Sequence, residues 1–139
     1  MNVTLEKNHK DLTEDKWRNC PRMPNAVATN HPSPNRRMLP LNYQGVTMDT
    51  AREQLVRSIL TIRGSEIGTV EDNYVHVRFR SAVFHLPHDG EFYFDDRKKQ
   101  ILYRARSLSG FADFGMNKRW LQSVCARFIK QIRPVQEGS

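Results

Sequence analysis

The residues best suited to bind a ligand lie close together between residues 104 and 119, in a segment that Gly110 and Gly115 punctuate. Cationic side chains donate hydrogen bonds to anionic oxygens, and a carboxylate and an amide can fix the shape of the loop. The set therefore predicts a site for a small anionic ligand or for an acidic partner surface. Its members are Arg104, Arg106, Ser107, Ser109, Asp113, Asn117, Lys118 and Arg119.

Two of these cations, Lys118 and Arg119, would fall in the first turn of a helix predicted over residues 117–133, with Asn117 as its cap. Cations at that end oppose the helix macrodipole and cost about 0.3–1 kcal/mol each when exposed. A compensating negative charge is therefore expected. Asp113 would supply it as a structural salt bridge, whereas a bound anion would make the junction a ligand site. The sequence leaves both explanations open.

Metal and cofactor sites have little support. His85 and His88 stand near Asp89 and Glu91, but their spacing matches no helical or ribbon zinc motif. The two histidines are interpreted as surface residues beside a turn. The chain has neither a Walker phosphate loop nor a dinucleotide fingerprint, so we expect no metal and no cofactor.

A catalytic site is the weaker interpretation. Ser107 and Ser109 precede Asp113, but no Gly-x-Ser-x-Gly elbow surrounds either serine. Asp89 and Glu91 lie two residues apart, would share one face of a strand, and could do acid–base work. A hydrolase-like enzyme using Asp89, Glu91 or Asp113 therefore remains an alternative. We expect a binding module rather than an enzyme and assign no catalytic residue.

A second alternative is nucleic-acid binding through an open, basic face of a sheet. Arginines would contact phosphates there, and aromatic rings would stack on bases. Glu91 and Asp95 lie on an intervening strand, so cross-strand ion pairs would neutralise part of this face. The side chains expected on it are Tyr74, His76, Arg78, Arg80, Tyr93, Arg104 and Arg106.

Two helices are predicted to flank the strands that position these groups. The first begins after Thr47, a residue type typical of N-caps, and ends before Gly64. The last carries a broad apolar stripe over residues 117–133, and Pro134 follows its end.

Four strands are predicted between the helices, because apolar and polar side chains alternate there. Residues 81–89 are interpreted as a short strand or an edge turn, stopped by Pro87. The predicted strands cover residues 66–70, 74–80, 91–95 and 101–107.

These elements predict one α+β domain. An antiparallel sheet of about four strands would carry both helices on one face, in the order α-β-β-β-β-α. Residues 1–45 hold five of the seven prolines and are expected to form an extended segment that wraps a core domain of residues 46–139. The chain has 139 residues, which suits a single core.

The net charge of +7 favours anionic partners, although no block of five or six basic residues occurs. Cys20 and Cys125 are the two cysteines, too few for a disulfide framework. Residues 1–19 lack the apolar stretch of a signal peptide, and no apolar run of about 18 residues occurs. A soluble, cytoplasmic protein without a transmembrane segment is expected.

Five motifs, taken together, resemble the domain-of-unknown-function family numbered 1499, over about residues 12–133. The resemblance implies an α+β domain that occurs in bacteria and in plastid-bearing lineages, with no established activity. Relatives often look exported, and they usually carry a second cysteine where this chain has Ala26. The motifs are Cys20-Pro-x-x-Pro-Asn25, Tyr74-x-His-x-x-Phe-x-Ser81, Asp89-x-Glu-Phe92, Arg106-Ser-x-Ser109 and Asp113-x-Gly-x-Asn117-x-x-Trp120.

Overall fold

The structure, a computed structural model, describes residues 26–29, 34–80, 86–108 and 115–138. Two α-helices and a mostly antiparallel sheet make up this part of the chain, which confirms the predicted α+β class. The sheet has six strands where about four were predicted, because two short strands precede the first helix. The elements are β1 (Ala26–Ala28), β2 (Leu41–Asn42), α1 (Met48–Leu60), β3 (Ser65–Glu71), β4 (Tyr74–Arg80), β5 (Pro87–Asp95), β6 (Gln100–Ser107) and α2 (Met116–Glu137).

The sheet runs in the order β1-β6-β5-β4-β3, and β2 also pairs with β6 beside β1. Each pairing is antiparallel, as short connections between strands require. Side chains alternate between a face that packs under both helices and an open face. On β4 the helix-facing side chains are Val75, Val77 and Phe79, all buried.

The helices bury one apolar stripe each against that face. α1 begins as predicted: Thr47 is its N-cap, and the Thr47 Oγ1 accepts the backbone N–H of Thr50 at 3.2 Å. α2 buries five apolar side chains, which form the larger part of the helical contribution to the core. They are Trp120, Leu121, Val124, Phe128 and Ile132.

Both predicted ends of α2 were wrong. The N-cap is Gly115, in the left-handed region at φ 79°, and no side chain caps the helix there, so Asn117 is not the cap. At the other end the helix continues through Pro134 to Glu137. A proline removes one backbone donor, but its carbonyl still accepts, and the N–H of Gly138 donates to Pro134 O at 2.9 Å and closes the last turn.

The predicted start of the third strand was also wrong. β5 begins at Pro87, four residues earlier than the strand predicted over residues 91–95. Of the short strand or edge turn predicted over residues 81–89, residues 81–85 lie outside the described part, and residues 87–89 belong to β5. Proline is tolerated as the first residue of a strand because its missing N–H is not needed there. Its carbonyl accepts the N–H of Leu108 at 3.0 Å, which joins the start of β5 to the end of β6.

The segment before α1 contributes to the sheet. β1 pairs with residues 104–106 of β6, and β2 pairs with Gln100 and Ile101. Tyr43, just after β2, is fully buried and donates its hydroxyl to Asp96 Oδ1 at 2.9 Å. Over residues 26–29 and 34–45 the chain thus adds to the edge of the sheet at β6. Residues 1–25 and 30–33 lie outside the described part, and a segment of residues 1–45 that wraps the domain stays a prediction.

Candidate functional site

The alternation of β6 divides the residues predicted for the anion site. Ser107 is buried on the helix-facing side of the sheet, next to α2. Arg104 and Arg106 lie on the open face, away from both helices. The structure therefore does not bring Arg104 together with Lys118 and Arg119, which are exposed on the first turn of α2. Ser109 and Asp113 lie outside the described residues, and their role stays a prediction.

Three polar side chains meet between the sheet and the start of α2, and we call them the His88 cluster: His88, Ser107 and Asn117. All three are buried. His88 Nδ1 lies 2.9 Å from Asn117 Oδ1 and 3.2 Å from Ser107 Oγ, and Asn117 Nδ2 donates to Ser107 Oγ at 3.4 Å. The cluster joins the second residue of β5, the last residue of β6 and the second residue of α2.

These distances favour one tautomer of His88. Asn117 directs its Nδ2 toward Ser107, so the atom that faces His88 is the carbonyl oxygen Oδ1, which only accepts. This arrangement favours Nδ1 as the donor to Asn117, which leaves Nε2 as the acceptor. Nε2 is buried and has no hydrogen-bond partner in the described structure. A buried acceptor in that state costs about 1–3 kcal/mol.

Aromatic contacts hold the imidazole in place. The ring of His88 stacks on Phe79 with centroids 4.6 Å apart, and Phe79 stacks on Trp120 at 4.0 Å. Trp120 Nε1 donates to Ser65 Oγ at 2.9 Å. The His88 cluster is therefore a fixed part of the interior, and the prediction of surface histidines was wrong for His88. His85 lies outside the described residues.

The first turn of α2 lies directly above this cluster and is strongly cationic. It contains no acidic residue, and within the described residues no side-chain hydrogen bond caps it at Gly115. Lys118 and Arg119 are exposed and form no ion pair within the part of the chain that the structure describes. Lys118 Nζ makes one long contact, at 3.5 Å, with the carbonyl of Asn35.

The open face carries the cross-strand pairing that the sequence predicted for Glu91. Glu91 Oε1 accepts from Arg104 Nε at 2.7 Å, and Oε2 accepts from the Tyr74 hydroxyl at 2.6 Å. Beside it, Asp89 lies 2.9 Å from His76 Nε2 and 4.0 Å from Arg106 Nη2.

Protonation of this group is constrained by its neighbours. Burial alone would raise the pKa of Glu91, but the Arg104 guanidinium and the Tyr74 hydroxyl outweigh it and hold the pKa below its usual value. Burial and the hydrogen bond to Glu91 raise the pKa of Tyr74 far above that of a free tyrosine. Glu91 thus stays an ionised carboxylate that accepts two hydrogen bonds. That state suits structure better than the general acid of the hydrolase alternative.

The open face is also balanced in charge, which does not favour its use by nucleic acid. Five carboxylates alternate with four arginines on the side that faces away from the helices. Phosphate binding needs a surplus of cations, which this face lacks. Its charged residues are Glu66, Glu71, Arg78, Arg80, Asp89, Glu91, Asp95, Arg104 and Arg106.

Two further observations concern the described residues alone. No group of three or more His, Cys, Asp or Glu side chains lies close enough to hold a metal ion. Neither helix has the combination of length and apolar character that crossing a membrane requires.

Sequence reasoning missed His88 because a histidine beside Pro87 resembles a turn residue. The available signal was the alternation of β5, in which His88 and Gly90 continue the buried positions of Phe92 and Phe94 toward the start of the strand.

A family model, with the description Protein of unknown function (DUF1499), matches residues 16–128. The match includes all six strands, α1 and the first half of α2. No curated protein matches the chain.

Proposed function

The chain belongs to the family described as Protein of unknown function (DUF1499), and we propose from its geometry that it is a binding module for a small oxyanion. The oxyanion, a phosphate or a carboxylate, would lie at the exposed first turn of α2. This role is non-enzymatic: the proposal assigns contacts to the protein and no bond-making step.

The uncapped, cationic first turn of α2 carries the proposal. The free N–H groups of a helix start, together with the macrodipole, attract negative charge. Lys118 and Arg119 add two full charges at the same place, with no carboxylate of the described chain beside them. An oxyanion would meet the positive end of the helix dipole and offset the mutual repulsion of these cations.

The His88 cluster, which lies beneath the first turn of α2, also supports the proposal. Asn117, the second residue of α2, is fixed by His88 Nδ1 and by Ser107 Oγ. The turn is therefore held in its orientation before any ligand arrives, which reduces the entropy lost on binding. Nε2 of His88, which has no hydrogen-bond partner in the described structure, destabilises the folded state at the same junction as the unpaired cations. Locally unfavourable features of this kind concentrate at functional sites.

The proposal uses only part of the predicted set of ligand contacts. Arg104 is engaged by Glu91 and is largely buried, so we leave it out of the site. Arg106 is half exposed at the end of β6, on the open face, and its contact with Asp89 is long at 4.0 Å. Lys118 and Arg119 remain as the cationic contacts, with Ser107 and Asn117 as supports.

Titration with inorganic phosphate, and separately with acetate, followed by amide NMR, tests the proposal. We expect the largest shift changes at residues 116–119. The double variant Lys118→Ala/Arg119→Ala should bind at least tenfold more weakly, because a hydrogen bond to a charged group contributes about 1.5–3 kcal/mol.

The matched control is Arg97→Ala/Lys98→Ala, which removes the same charge from the exposed turn between β5 and β6. It should bind phosphate as the unchanged protein does. Shift changes that map elsewhere, or an equal loss in both double variants, would show that the first turn of α2 is not the site.

A further inference from the structure

The exposed surface of α2 holds the largest unpaired positive charge among the described residues. Five cations lie on this helix, against one carboxylate, Glu137, at its far end. No ion pair joins any of the five within the described ranges. They are Lys118, Arg119, Arg127, Lys130 and Arg133.

Helical periodicity aligns three of these cations. Arg119, Lys130 and Arg133 lie within one narrow sector of the helix, opposite its buried stripe, because 3.6 residues make a turn. At 1.5 Å per residue the stripe from Arg119 to Arg133 is about 21 Å long. It faces solvent, on the side of the molecule away from the charge-balanced open face.

A groove lies beside this surface, where α2 passes the end of α1. Its volume is about 740 Å³, and its lining includes Arg127, Lys130, Ser123 and Gln131. Arg127 is held in place there, because its guanidinium donates to Thr61 Oγ1 at 2.9 Å and to Ser123 Oγ at 3.2 Å. Two cations and two neutral donors thus surround a space large enough for a phosphate headgroup.

We infer that the outer surface of α2 docks on an anionic lipid bilayer, with a headgroup phosphate in the groove beside Arg127 and Lys130. Basic side chains on a helix are attracted to anionic leaflets, and the attraction adds up along the stripe. This surface shares Arg119 with the oxyanion site at the first turn of α2, but its groove and the pair Lys130 and Arg133 lie farther along the helix and take no part in that site.

Exposed aliphatic side chains favour a bilayer over nucleic acid as the occupant. Ile129, on α2, is 43% exposed, and Leu60, at the end of α1, is 59% exposed. A bilayer interface buries exposed aliphatic groups while its headgroups contact the cations. A phosphodiester backbone would contact the cations but would leave the aliphatic groups exposed. The aromatic residues of α2, Trp120 and Phe128, are both buried and unavailable for base stacking.

Flotation of the full chain with vesicles tests this inference. We expect binding to phosphatidylcholine vesicles that contain about a third phosphatidylglycerol, and none to pure phosphatidylcholine. Lys130→Ala/Arg133→Ala should partition about 25-fold more weakly, at a factor of about five per basic residue. Ile129→Ser should also lower partitioning severalfold.

Arg97→Ala/Lys98→Ala again removes equal charge from a distant exposed turn, and it should partition as the unchanged chain does. The bilayer inference is overturned if this control loses as much as Lys130→Ala/Arg133→Ala. It is also overturned if no anionic vesicle binds at low salt, if Ile129→Ser has no effect, or if duplex DNA at equal phosphate concentration binds more tightly than the vesicles.

Discussion

Gly90 permits a close contact between β5 and the side chain of Trp120 on α2. A Cβ placed on Gly90 would lie 2.7 Å from Trp120 Cζ3 and 3.0 Å from Cη2, shorter than any ordinary contact. Trp120 cannot easily retreat, because it stacks on Phe79 and donates to Ser65. The absence of a side chain at Gly90 therefore leaves the space that the Trp120 indole occupies over β5.

We predict that Gly90→Ala lowers the free energy of unfolding by about 1–3 kcal/mol, the usual cost of overpacking a core. In a Trp120→Phe background the same substitution should cost much less, because the clashing part of the indole is gone. Urea denaturation of the four proteins in this double-mutant cycle measures the coupling. An identical cost in both backgrounds would contradict the contact.

At the scale of elements, β4, β5 and β6 are joined on the open face by Tyr74, Glu91 and Arg104. One residue from each strand takes part, and Glu91 in the middle receives both hydrogen bonds. Because its pKa is lowered in the folded state, Glu91 contributes stability above the ordinary glutamate pKa of about 4.5, and that contribution is lost as the pH falls through the folded value.

Glu91→Gln should therefore be less stable than the unchanged protein near neutral pH, and the difference should shrink between about pH 6 and about pH 3. Chemical denaturation across this range measures it. Tyr74→Phe removes one of the two hydrogen bonds that lower the pKa, so the pH dependence should be weaker in that variant. A difference that grows on acidification would contradict this assignment.

Much of the element pattern was predictable, since β4 was predicted to the residue from the alternation of Val75, Val77 and Phe79. The start of β5 was not, because its buried positions hold His88 and Gly90, which carry no apolar signal. The site was predictable only in part. The chain order of Arg106, Ser107 and Asn117 predicts proximity, but only the observed start and alternation of the strands show that Arg106 and Ser107 face opposite sides.

At the scale of the molecule, the segment before α1 completes the core. Tyr43 is fully buried, and its ring meets Phe94 edge to face with centroids 5.9 Å apart. Tyr103, on β6, donates its hydroxyl to the carbonyl of Leu39 at 2.5 Å. The prolines of this region had predicted an extended segment, and the residues that bury it were too few and too scattered to predict pairing with the last strand.

We predict that Tyr43→Ala lowers the free energy of unfolding of the whole molecule by about 3–5 kcal/mol, as removal of a large buried aromatic does. The loss should appear as one earlier transition in the far-ultraviolet circular dichroism of the helices. Leu39→Ala, a control in the same segment at an 85% exposed position, should change it by less than about 0.5 kcal/mol. An unchanged helix transition in Tyr43→Ala would mean that the segment is not part of the core.

The pairing of β1 with β6 also sets the order in which the chain can be assembled. Thr29 and Tyr103 bond to each other although 74 residues separate them. During synthesis β1 and β2 leave the ribosome first, yet their partner strand in the described sheet leaves last. The strands from β3 to β6 pair with their neighbours in sequence, so this part of the sheet can form before β1 and β2 join it. Contacts between residues far apart in sequence, such as Thr29 and Tyr103, are the slowest to form. We therefore expect the pairing of β1 and β2 with β6 to be the last stage of folding.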